Sequence, residues 1–163
     1  MVKTFNTVEE LMVYLQKQIP ISLEAIGEEV KKILRENVQQ LWYDRPFTPT
    51  HYTRSMEYIN SIVCSKATKI SNGQYKVEIY FATDLIQPYM SPNGEWNQHA
   101  SIYGEDVSAQ IPYYIEEGNN SPLFEYQGVH PVETTKEWIE DNDYLRKRMI
   151  KFLGKYGFNC SVI

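Results

Sequence analysis

Two cysteines, three histidines and no surplus of positive charge set the first limits on this chain of 163 residues. Cys64 and Cys160 lie far apart and make no disulfide framework. The opening stretch, MVKTFNTVEE, lacks the apolar run of a secretory signal. The chain therefore reads as made in a reducing cytoplasm. Its longest apolar runs are too short to span a bilayer, so no membrane role is expected. The formal net charge is −5, which argues against a nucleic-acid binder, since such proteins displace counterions with a basic face. The one basic cluster is Arg146-Lys147-Arg148, followed by Lys151 and Lys155. It falls late in a helix, where cations complement the helix dipole.

Chemical motifs are also missing. His51, His99 and His130 stand alone, with no Cys, His or carboxylate at a metal-ligand spacing, so no metal or cofactor is expected. Cys64 falls in a strand-like run, where an inert buried thiol is the usual outcome. Gly73, Gly94 and Gly104 are isolated, so there is no phosphate-cradling loop, and no nucleophile elbow occurs. These absences favour a protein that is not an enzyme.

What is present is ordinary in amount and ordered in pattern. The length suits one domain. Aromatics make up 13%, mostly tyrosine, a residue that serves core rims and interfaces equally well. Thr7-Val8-Glu9-Glu10 is a capping box. A helical region over 7–41 follows, in which Pro20 is expected to end or kink a first helix and Ser22 to cap a second. Leu23, Ile26, Val30, Ile33, Leu34, Val38 and Leu41 line one face of the second helix. Trp42 to Thr50 reads as a linker, with Pro46 and Pro49 holding it extended. A hairpin is expected over 55–82. Ser55 to Lys66 is rich in strand formers, Asn72-Gly73 is a strong turn signal, and Tyr75, Val77, Ile79 and Phe81 alternate on the return strand.

The segment 84–110 holds Pro88, Pro92, Gly94 and Gly104 among Tyr89, Trp96 and Tyr103. So long an irregular stretch is usually functional or disordered, and its aromatics argue against disorder. Either a further hairpin lies here or the segment orders against a partner, and the second is expected. A short helix over 112–117 comes next, opened by Pro112 and stopped by Gly118 in a left-handed conformation, with Asn119 and Asn120 turning the chain. Tyr114 or Ile115 should pack inward, leaving Glu116 and Glu117 at the surface. Neighbouring acids on a helix point apart, so these two do not form a carboxylate pair. C-terminal helices over 134–154 start from the capping box Thr134-Thr135-Lys136-Glu137, with Trp138 and Ile139 buried. The whole is α+β: N-terminal helices and a C-terminal helix on a small antiparallel sheet containing a hairpin, with a long irregular insertion.

Four segments then resemble one family. They are LRENVQQLWY at the end of the long helix, YTRSMEYINSI before the first strand, YKVEIYF on the return strand, and PYYIEEGNN. The second is similar to an Arg-Thr-Gly and Leu-x-x-Ser run. The fourth is similar to an aromatic, Val/Ile, Glu, Gly sequence, followed here by His130-Pro131 and a last helix. This layout resembles the neck proteins of long-tailed bacteriophages, known as head–tail joining, tail-completion or minor capsid proteins. Met56 departs from it, standing where the family often has Gly. The resemblance implies a virion protein without catalytic residues. Its copies would form a homo-oligomeric ring at the head–tail junction and contact neighbouring head-connector and tail proteins. DNA would pass nearby without specific binding. Tyr89, Trp96, Tyr103, Glu116 and Glu117 become candidate subunit or partner contacts, with Pro112 and Gly118 as the structural turn. A tail-terminating ring protein is the close alternative. Two other classes stand beside it: a small hydrolase using His130 with Glu116 or Glu117, and a single-stranded nucleic-acid module stacking bases on Tyr and Trp.

Overall fold

A computed structural model describes residues 4–45, 55–88, 90, 94, 97, 99–101, 103–121 and 124–158. The linker prolines Pro46 and Pro49, His51, Tyr89, Trp96 and Cys160 lie outside the described residues. The helices are α1 (Val8–Val38), α2 (Glu57–Asn60), α3 (Ile111–Glu117), α4 (Pro131–Asp141) and α5 (Tyr144–Lys155). The strands are β1 (Ile62–Cys64), β2 (Thr68–Ser71), β3 (Gln74–Lys76), β4 (Ile79–Phe81), β5 (Gly118–Ser121) and β6 (Phe124–Gln127). They form three two-stranded sheets, β1 with β4, β2 with β3 and β5 with β6. The fold is α+β. It divides into two compact units, one of Met1–Lys31, Cys64–Ile79 and Glu137–Ile163, the other of Lys32–Val63 and Tyr80–Lys136.

In the first unit the capping box forms. The Glu10 N–H donates to Thr7 Oγ1 at 3.2 Å, and the Glu10 carboxylate accepts from the Asn6 N–H at 2.9 Å. Pro20 does not end the helix: α1 runs through it. A proline inside a helix leaves the carbonyl four residues earlier without its donor. Here that carbonyl belongs to Gln16, and the Tyr75 hydroxyl of β3 donates to it at 3.2 Å. Gly27 lets β1 come close, since a Cβ there would sit 2.6 Å from Val77 Cγ1 and 2.7 Å from Cys64 Sγ. The β2–β3 hairpin turns at Asn72-Gly73 as expected, but only Gly73 takes a positive φ, and the register slips between Lys69 and Ser71. Tyr144 and Arg148 of α5 both reach the Glu29 carboxylate, at 2.9 and 2.6 Å.

In the second unit Leu34, Val38, Tyr58, Ile59, Ile62, Ile86 and Ile115 are buried. The expected strand over 55–66 is corrected here. Its first half is the single turn α2, and only Ile62–Cys64 is extended. Tyr58, Ile59 and Ile62 are all buried, as a helical turn leading into a strand allows and strict alternation does not. The Tyr58 ring stacks on Phe81 at 5.0 Å, and the Arg35 guanidinium donates to Asn60 Oδ1 at 2.9 Å. The expected return strand is two short strands, of which β4 pairs with β1 rather than with the hairpin. The end of α1 widens into a π-turn over Gln39–Tyr43, so Trp42 and Tyr43 are helical and not linker.

Two expectations for the last third also change. Asn119 and Asn120 lie in β5, paired with Tyr126 and Glu125 of β6, and do not turn the chain. The last helical region starts at Pro131, so the Thr134–Glu137 box is not its cap. The Thr135 hydroxyl instead donates to the Pro131 carbonyl at 2.7 Å. Trp138 is 41% exposed where burial was expected.

Candidate functional site

The short helix α3 is where the candidate residues meet the fold. Pro112 sits in its first turn, as its missing N–H favours, and is buried. Ile115 is 3% exposed and points into the core, while Tyr113 on the other side is 64% exposed. Tyr114 is half-buried, its hydroxyl donating to Gln110. Gly118 stops the helix with φ 91° and ψ 175°. The positive φ was legible. The conformation is the extended, glycine-only one and not the left-handed helical one, and so the chain passes straight into β5.

Glu116 is half-buried and structural. Its carboxylate accepts from the backbone N–H groups of Val132, at 2.9 Å, and Glu133, at 3.0 Å. These are among the orphan donors at the start of α4, where a negative charge also meets the positive end of the helix dipole. The join is tightened by Gly128, where a Cβ would lie 2.1 Å from the Glu116 carbonyl oxygen. The Val129 N–H donates to the Ile115 carbonyl at 3.0 Å. His130 is exposed, has φ 48°, and its carbonyl accepts from the Thr134 N–H. Glu117 is exposed. Thus Glu116 and His130 flank the same helix start, but both Glu116 oxygens already bind backbone donors.

The described part of the insertion folds back on itself through isolated bridges outside the named strands. Met90 bridges Asn97, and Ala100 bridges Asp106. Ser101 organises the turn at its tip. The Ser101 N–H donates to the Glu105 carbonyl at 2.7 Å, and the Ser101 hydroxyl accepts from the N–H groups of Tyr103 and Glu105. Tyr103, next to Gly104 with its φ of 81°, is 84% exposed on this turn.

Sequence reasoning missed the group beneath it. His99 and Ser108 are each 3% exposed. His99 Nδ1 lies 2.8 Å from the Gln87 carbonyl and 3.5 Å from Ser108 Oγ. The Ser108 hydroxyl and N–H both donate to Asp106, and they hold its carboxyl below the usual value. A serine, a histidine and an aspartate are therefore together, in the wrong order for nucleophilic catalysis. The serine hydroxyl donates its hydrogen bond to the aspartate, and the imidazole faces a backbone carbonyl. The adjoining cavity, lined by His99, Tyr58 and Ile111 among others, is about 10 Å³, room for one water. The readable signal was Asp106-Val107-Ser108 before a helical turn, a local side-chain-to-backbone cap.

Elsewhere, in the first unit, Cys64 borders an open groove of about 260 Å³ with Ile21, Glu24 and Glu28. Burial, with Glu28 adding to it, pushes the thiol pKa up, away from a reactive thiolate. The Ala67 N–H and then Lys66 hold the Glu24 carboxyl low. Among the described residues no three His, Cys, Asp or Glu side chains gather as metal ligands, and no helix is long and apolar enough to cross a membrane.

The sequence model of one family, described as YomN, matches residues 7–155. No curated protein and no solved structure matches.

Proposed function

The chain belongs to the YomN family, which is phage-derived, and from that premise we propose that it is a structural protein of the virion neck. In this reading its copies assemble as a ring that joins or completes the tail at the DNA channel, without catalysing a reaction. The observation that carries it is Tyr103, 84% exposed on a turn pinned by Ser101. An aromatic ring on a turn whose backbone is already pinned spares binding the cost of ordering that backbone, so it suits a protein contact. Tyr113, 64% exposed on α3, adds a second such ring in the same unit. Glu116, by tying α3 to α4, keeps that helix in place. A net charge of −5 suits a wall that DNA passes without sticking.

The test is to purify particles of a phage that encodes the chain and locate it by mass spectrometry and electron microscopy. The expected result is its presence at the head–tail junction. Intact virions that lack it, with heads and tails still joined, would overturn the proposal.

A further inference from the structure

The helices α4 and α5 each carry one sign of charge on a solvent face. On α4, Glu137, Glu140 and Asp141 follow at i, i+3, i+4, and all are exposed. On α5, Lys147, Lys151 and Lys155 follow at i, i+4, i+8, and all are exposed. The other charges here have partners: Arg146 pairs with Asp143, Arg148 with Glu29 and Lys136 with Glu133. Among the described residues none of the six enters an ion pair, although the Lys147 ammonium donates to the Asn142 carbonyl at 2.8 Å and that of Lys155 lies 4.7 Å from the centre of the Phe152 ring. The same two helices leave Trp138 41% and Leu145 50% exposed. Tryptophan is the residue most enriched at the energetic centre of protein interfaces.

We propose that this α4–α5 face docks on a second copy of the chain. The lysines of one subunit's α5 meet the acids of its neighbour's α4, with Trp138 in the desolvated middle. The two helices carry opposite signs, so the lysine row of one copy's α5 is complementary to the acid row of its neighbour's α4. Duplex DNA would match the lysines and be repelled by the acids on the adjoining helix. The inference rests on the assembly reading above and deepens it by naming the face.

The experiment measures the mass of the full chain in solution, at low and high salt. The samples are wild type, Lys151→Glu, Glu137→Lys, the double variant and Trp138→Ala, each checked for native circular dichroism. The expected result is a wild type that associates, and does so less at high salt. Each charge reversal should weaken association about tenfold or more, and the double variant should recover most of it. Trp138→Ala should weaken it by roughly thirtyfold. Single reversals that associate like wild type overturn the proposal. A ring indifferent to them overturns this face and leaves the ring. A closed dimer that shows the rescue upholds the face and overturns the ring. A wild type that stays monomeric overturns self-docking, while a ring built on another neck protein survives. Unchanged mass with lost binding to duplex DNA in Lys151→Glu also overturns it, and assigns the lysines to DNA.

Discussion

Replacing Glu116 by alanine removes the acceptor for two backbone donors at the start of α4, bonds of 2.9 and 3.0 Å. Hydrogen bonds to a charged partner contribute about 1.5–3 kcal/mol each. That sum is an upper bound here, because Glu116 is half-buried and water can take over part of its work. Losing a helix cap costs about 1 kcal/mol and up to about 2. Losing a charge at a helix N-terminus costs roughly 0.3–1 kcal/mol more. The expected cost is therefore about 2 kcal/mol, or roughly 4–8 °C in Tm for a chain of this size. Glu116→Gln keeps one oxygen and no charge, so about half the loss is expected. Urea unfolding measures the totals, and hydrogen exchange at the Val132 and Glu133 amides reads the site itself. Glu117→Ala is the control, an exposed neighbour expected to stay within about 0.5 kcal/mol of wild type. If Glu116→Ala costs no more than Glu117→Ala, or leaves both amides protected, the carboxylate is not the cap.

Three further outcomes follow from the same structure. Tyr75→Phe should cost about 0.5–1 kcal/mol by urea unfolding, since the Gln16 carbonyl loses its donor. In a Pro20→Ala background, where a backbone N–H returns to that carbonyl, the cost should vanish; an equal cost in both backgrounds refutes the compensation. Gly128→Ala should destabilise by more than about 3 kcal/mol, because its methyl group would press on the backbone of α3, and near-native stability would show that the join yields. Asp106 has a folded-state pKa below its unfolded one, so its contribution is full above the unfolded value and fades as pH falls through the folded one. The stability gap between wild type and Ser108→Ala should thus narrow below about pH 4, and a gap that widens on acidification contradicts it.

Legibility follows the range of the interaction. Thr7 and Glu10 find each other within one turn, so the cap is visible in four letters and the Thr7 half forms as written, while the Glu10 carboxylate reaches one residue further back, to Asn6. The hydrophobic face of α1, the Asn72-Gly73 turn, Pro112 and Gly118 are local in the same sense. The run over 55–66 was not. Its apolar residues fit alternation or one helical turn, and the structure packs Tyr58 on Phe81 and ties Asn60 to Arg35. Pro20 read as a break because its compensating donor, Tyr75, is 59 residues away from Gln16.

For the candidate site the division is the same. The sequence by itself determined a short helix with a proline start and a glycine stop, an inward Tyr114 or Ile115, and an aromatic insertion ahead of it. Those follow from backbone freedom and periodicity, which each residue carries with it. Only the tertiary structure decided what the acids and the histidine do. Glu116 became a cap because the β5–β6 hairpin returns the chain so that the start of α4 meets the end of α3. His99 became a buried support because it meets Trp42, Tyr58 and Ile115 around one small cavity, with Ser108 beside it. Side chains can serve solvent, backbone or a partner with the same chemistry, and which one they meet depends on residues far along the chain.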